Sequence, residues 1–142
     1  MRPTIVRPLA AVFATVFAAA IAASPVAAQL AADVRFEPGS YGAVLNGAVR
    51  GGEYFDYRMG ATAGQELSAD LTVTDTNGDG TAYFNILPPG SDGYAIYNGS
   101  IDGTSAAITL PEDGTYTIRV YLMGNDRDTD RTVGYGLHVS IR

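Results

Sequence analysis

The residues best suited to hold an ion are Asp75, Asn77 and Asp79, followed by Gly80. Oxygen-bearing side chains at alternate positions can converge on a hard cation such as calcium, and the glycine lets the backbone bend around it. The second half of such a loop is missing. Ile86 stands where a bidentate glutamate belongs, and no helix is readable on either side. A Gly/Asn/Asp turn between two strands explains the same residues. Two readings therefore stay open, a polar turn and a weak extracellular calcium site; no cofactor is expected otherwise.

A second charged stretch, Gly124–Thr132, interleaves Arg127 and Arg131 with Asp126, Asp128 and Asp130. One reading is self-neutralising surface charge. The other is a projecting recognition loop, in which an arginine offers its fork of donors to a partner carboxylate. Tyr41, Tyr54 and Tyr121 could supply contact area beside it.

Signals for catalysis are weak. His138 is the only histidine and lies on a strand pattern, pointing away from the apolar face with Gly136 and Ser140. A triad or zinc site needs partners for it, and the chain has no cysteine or second histidine. No GxSxG is present, and the acids cluster in turns, where turn chemistry accounts for them. The expectation is a protein that is not an enzyme.

The chain has 142 residues. Arg2 and Arg7 precede an apolar run from Leu9 to Ala23, followed by small residues around Ser24–Ala28. That is the layout of a cleaved secretory signal peptide, and the run is shorter than the roughly 20 residues needed to span a bilayer. Residues 1–28 are assigned to the signal and 29–142 to a single domain with no membrane anchor after cleavage. Without Arg2 and Arg7 the nine basic residues, all arginine, fall to seven against fifteen acids, a net charge near −8. So acidic a surface argues against nucleic acid and anionic membranes, and favours cationic partners or divalent cations.

The elements that must position these residues are strands. Tyr116, Ile118, Val120 and Leu122 alternate with Thr115, Thr117, Arg119 and Tyr121, a period of two that marks a half-buried strand. Pro111-Glu112-Asp113-Gly114 precedes this run and predicts a hairpin with the strand before it. Similar alternation covers Asp33–Glu37, Glu53–Ala61, Glu66–Thr74 and Val133–Ile141. Asn46-Gly47 predicts a bend or bulge within Tyr41–Arg50. About eight or nine short strands, with no helix outside the signal peptide, predict an all-β antiparallel β-sandwich of jelly-roll type; a closed barrel fits the same alternation.

Several segments resemble the periplasmic inhibitors of goose-type lysozyme: VRFEPG from Val34, NGAVRGGEYFDY from Asn46, ATAGQELSADL from Ala61, DGTYTIRVY from Asp113, and Gly124-Asn125-Asp126. The same skeleton resembles the wider group of bacterial peptidase C-terminal β-sandwich domains. The first resemblance implies a periplasmic, non-catalytic inhibitor whose loops enter the peptidoglycan-binding cleft of the lysozyme. Its partner would be goose-type lysozyme or another cationic cell-wall hydrolase. It also implies contact through one tyrosine and two arginines, at positions where this chain has Gly52, Gly124 and Asp128. Tyr54, Arg127 and Arg131 stand nearby, and with Asn125 and Asp126, a loop-shaping pair, they form the expected partner-binding set. The wider resemblance implies the alternative, a calcium-stabilised carbohydrate- or surface-binding module that uses Asp75, Asn77 and Asp79 around the ion.

Overall fold

The computed structural model describes residues 30–142; the signal peptide assigned to residues 1–28 lies outside them. Nine strands form two sheets: β1 Leu30–Asp33, β2 Gly42–Arg50, β3 Tyr54–Ala61, β4 Glu66–Thr76, β5 Ala82–Leu87, β6 Tyr97–Asn98, β7 Ser105–Thr109, β8 Gly114–Leu122 and β9 Thr132–Ile141. One sheet runs β1-β3-β8-β5-β6 and the other β2-β9-β4-β7. All pairs are antiparallel except β1 with β3. The predicted sandwich is therefore present.

The core lies between the sheets and is built from the alternation. Tyr57 and Met59 on β3, Leu67, Ala69 and Leu71 on β4, Phe84 and Ile86 on β5, and Tyr116, Ile118, Val120 and Leu122 on β8 are all buried. Tyr135, Leu137, Val139 and Ile141 on β9 close it from the other side. With no cysteine in the chain, this apolar burial carries the stability.

Four expectations need correction. The Pro111–Gly114 turn does not make a hairpin. β7 pairs with β4 in one sheet and β8 with β3 and β5 in the other, so the turn is an arch that carries the chain across the sandwich. A turn signal reports a reversal of direction, and both flanking strands have one apolar face, so either plane satisfies the pattern. The arch is fastened by Tyr116, whose hydroxyl donates to the Glu112 carbonyl at 2.6 Å and accepts from the Glu112 amide at 3.2 Å. Tyr116→Phe removes both bonds from a fully buried ring and is expected to cost about 1–3 kcal/mol, measured by urea unfolding.

The bulge expected at Asn46-Gly47 is absent. β2 pairs with β9 in unbroken register from Gly42↔Ser140 to Arg50↔Thr132. Gly47 is there for space: a Cβ on it would meet the hydroxyls of Tyr57 and Tyr135 at 2.9 and 2.7 Å. Those two hydroxyls share a buried hydrogen bond of 2.9 Å, and burial pushes both phenol pKa values up. The register shift occurs instead on β4, between Val73 and Asp75.

The first strand is Leu30–Asp33 and not Asp33–Glu37, although Val34 and Phe36 still pack against the core. Two short helices also interrupt the strands, α1 Gly99–Asp102 and α2 Gly124–Asp128. α1 is capped by the Asn98 side chain, which accepts from the Ser100 amide. At four and five residues, neither has room for an amphipathic period.

Candidate functional site

Three loops meet at one end of the sandwich. The β2–β3 turn reaches the β8–β9 connection through the Gly51 amide, which donates to the Arg131 carbonyl at 2.9 Å. Gly51 has φ +55°, and a side chain there would collide with the Asp130 carboxylate. Arg50 and Asp130 add an exposed ion pair at 2.6 Å. Asp130 itself takes a left-handed φ of +58° just after α2, a conformation its short polar side chain tolerates better than most.

The third loop joins β4 to β5. Asp126, on α2, is fully buried, and its two carboxylate oxygens accept from the amides of Asp79 at 2.8 Å and Thr81 at 2.6 Å. Those backbone bonds favour the ionised form and hold the carboxyl below its ordinary value of 3.8. Because the folded form binds its proton more weakly, this contribution to stability is complete above pH 3.8. It is lost as the pH falls through the lower, folded value. Asn77 adds a second tie, its carboxamide oxygen accepting from the Thr132 amide at 3.0 Å.

The result is a cleft of about 180 Å³ lined by Gly52, Glu53 and Tyr54 from the turn, Arg119 and Tyr121 from β8, and Arg127 from α2. Tyr54 and Arg127, from separate loops in the sequence, thus share one cavity. Arg119 is held by Asp56 through two bonds, Nε–Oδ1 at 2.8 Å and Nη2–Oδ2 at 2.9 Å. Hydrogen bonding to Asp56 raises its pKa further. Arg127 is exposed and has no ion pair among the described residues. The cleft therefore offers one uncommitted cation beside two tyrosines, an arrangement suited to a carboxylate on a partner.

The remaining expected residues are distributed as follows. Asn125 is exposed, and its carbonyl accepts from the Thr129 amide and hydroxyl, closing α2. Asp126 is buried under the β4–β5 loop, where it shapes the connection and presents nothing to the outside. Arg131 is exposed beside Gly78 and does not line the cleft. Asp75 lies on β4 opposite Gly134, while Asn77 and Asp79 lie beyond it in the loop and take part in the ties just described. Among the described residues no three His, Cys, Asp or Glu side chains cluster as metal ligands. His138 is exposed on β9 across from Asp70.

Sequence reasoning missed Arg119 and Glu53 as lining residues of the cleft. Alternation did put Arg119 and Tyr121 on the outer face of β8, and Tyr54 and Asp56 on the outer face of β3. The pairing that sets Tyr54 against Tyr121 and Asp56 against Arg119 is a long-range fact with no local signal.

No protein-family model matches the chain, and no curated protein does. Solved structures do. The periplasmic inhibitor of g-type lysozyme from Aeromonas hydrophila is 29% identical with a TM-score of 0.71, over 80% of this chain and 97% of that one. A mutant of the Escherichia coli inhibitor of g-type lysozyme is 24% identical with a TM-score of 0.63, over 81% and 100%. The pre-peptidase C-terminal domain of a Bacillus anthracis collagenase shares the fold at 12% identity and a TM-score of 0.55, over 81% and 97%. The chain is thus similar in sequence and fold to the periplasmic g-type lysozyme inhibitor of Aeromonas hydrophila, while its likeness to the Escherichia coli protein and to the peptidase domain is one of fold.

Proposed function

We propose that this chain is a periplasmic, non-catalytic inhibitor of a g-type lysozyme or a similar cationic cell-wall hydrolase, as its likeness to the g-type lysozyme inhibitors supports. The end of the sandwich that carries Gly51–Tyr54 and Gly124–Arg131 would enter the hydrolase cleft and block peptidoglycan by occupation. Arg127 would reach an acidic group there and Tyr54 would pack at the rim. The observation that carries this reading is the convergence of Tyr54 and Arg127 on one cleft, with Arg127 the cation left uncommitted. The acidic surface would draw a basic hydrolase towards it. The relatives named as inhibitors support the non-enzymatic assignment and the periplasmic location.

Residues 29–142, added in excess to a g-type lysozyme, should slow hydrolysis of peptidoglycan and leave a hen-type enzyme unaffected. Unchanged hydrolysis by the g-type enzyme would overturn the proposal.

The inhibitor is proposed to work without a cofactor. A calcium ion held by Asp75, Asn77 and Asp79 would have to compete with the Thr132 amide for the Asn77 oxygen. Millimolar calcium is accordingly expected to leave Tm unmoved; a rise that disappears in D79A would instead establish the ion site.

A further inference from the structure

An aromatic anchor contributes to binding only what remains after it has been ordered. Tyr54 and Tyr121 form a cross-strand pair on the outer face of the five-stranded sheet, and both line the cleft. Each is held by a residue at the neighbouring position along the strands. The Tyr121 hydroxyl donates to Asn85 Oδ1 at 2.9 Å. The Arg119 guanidinium lies 4.2 Å from the centroid of the Tyr54 ring, within cation–π range.

Arg119 is itself fixed. Beyond its two bonds to Asp56, Nη1 donates to the Asp92 carbonyl at 3.2 Å, and its side chain is only 18% exposed. A guanidinium so occupied is a poor point of attachment for a partner's carboxylate. Its open face is turned to Tyr54.

We propose that Arg119, braced by Asp56, is a positioning residue: it presents the Tyr54 ring in its binding orientation before the partner arrives. This rests on the reading of the cleft as the hydrolase-binding surface. Arg119 acts through Tyr54 and makes no contact of its own.

The test is a double-mutant cycle on affinity for a g-type lysozyme with Y54A, R119M and the double variant, together with aromatic NMR of the free, tyrosine-labelled protein. Y54A is expected to weaken binding about 10- to 100-fold and R119M about 5- to 20-fold, in the range of aromatic and arginine hot spots. The double variant should be no weaker than Y54A alone within about twofold. In free R119M the Tyr54 ring signals should shift and its ring flips accelerate. Losses that multiply, or Tyr54 signals that do not change, would overturn the proposal. If R119M does not fold, R119K keeps a cation at Asp56 without the planar fork and takes its place. Failure of the unmutated protein to bind would sink the parent reading, and the ring measurement on the free protein would still decide the clamp.

Discussion

Arg127→Glu should lower affinity for a g-type lysozyme by at least about 100-fold, and Arg127→Ala by about 10- to 100-fold, as losses of a desolvated interfacial charge do. The larger effect of glutamate follows from sign. Glycosidase clefts are built around carboxylates, and a glutamate brought against one adds repulsion to the lost attraction. Since Arg127 is exposed and unpaired among the described residues, its replacement should move folding stability by no more than about 0.5 kcal/mol. The kinetics separate contact from steering. The glutamate variant is more acidic overall, so attraction of a basic hydrolase at long range is not reduced, and the loss should appear in the dissociation rate. Surface plasmon resonance at two salt concentrations reads both rates. Equal affinity of R127E and the unmutated protein would remove Arg127 from the interface.

Asp56→Ala is expected to destabilise the fold by about 3–5 kcal/mol, the range found when one member of a buried ion pair is removed. The Arg119 and Asp56 side chains are 18% and 6% exposed. Alanine would leave a guanidinium that burial already disfavours with only the Asp92 carbonyl at 3.2 Å and the fully exposed Asp92 carboxylate at 3.7 Å. The contrast is Asp33 with Arg58, a 3.0 Å pair on side chains 66% and 50% exposed. Asp33→Ala should cost less than about 1 kcal/mol, because water screens that pair. Urea denaturation of both variants at neutral pH checks the difference, and equal losses would show that the Asp56 pair is solvated in solution.

What could be read from the sequence was what a single strand reveals about itself. Alternation at Leu67–Ala69–Leu71 and at Tyr116–Leu122 marked the buried face correctly, since one sheet face must be dry. The adjacent aromatics Tyr83 and Phe84 obey the same rule: Phe84 is buried and Tyr83 lies on the outer face, where its ring centroid is 6.4 Å from that of Tyr121. What could not be read was partnership. Gly47 carries a turn residue's signature, but the tyrosine pair that requires it comes from β3 and β9. The hairpin predicted at Pro111–Gly114 failed for the same reason, because local turn chemistry does not name the sheet a strand joins. Asp126 reads as one acid among several in a charged loop. Its work depends on two amides from a loop more than forty residues earlier.

β9 is the last of the nine strands among the described residues and an inner strand of its sheet, flanked by β2 and β4. Neither of those strands can complete its hydrogen bonding until the ten residues of β9 are available. Completion of this sheet therefore waits for β9: until Thr132–Ile141 is available β2 has no partner in the sheet and β4 has only β7. Closing so long a loop is slow, and the waiting strands are open to mispairing in the meantime. The exposed period is set by the length of chain that separates β2 and β4 from β9, and each residue removed between Val133 and Ser140 of β9 would unpair its partners on both strands at once.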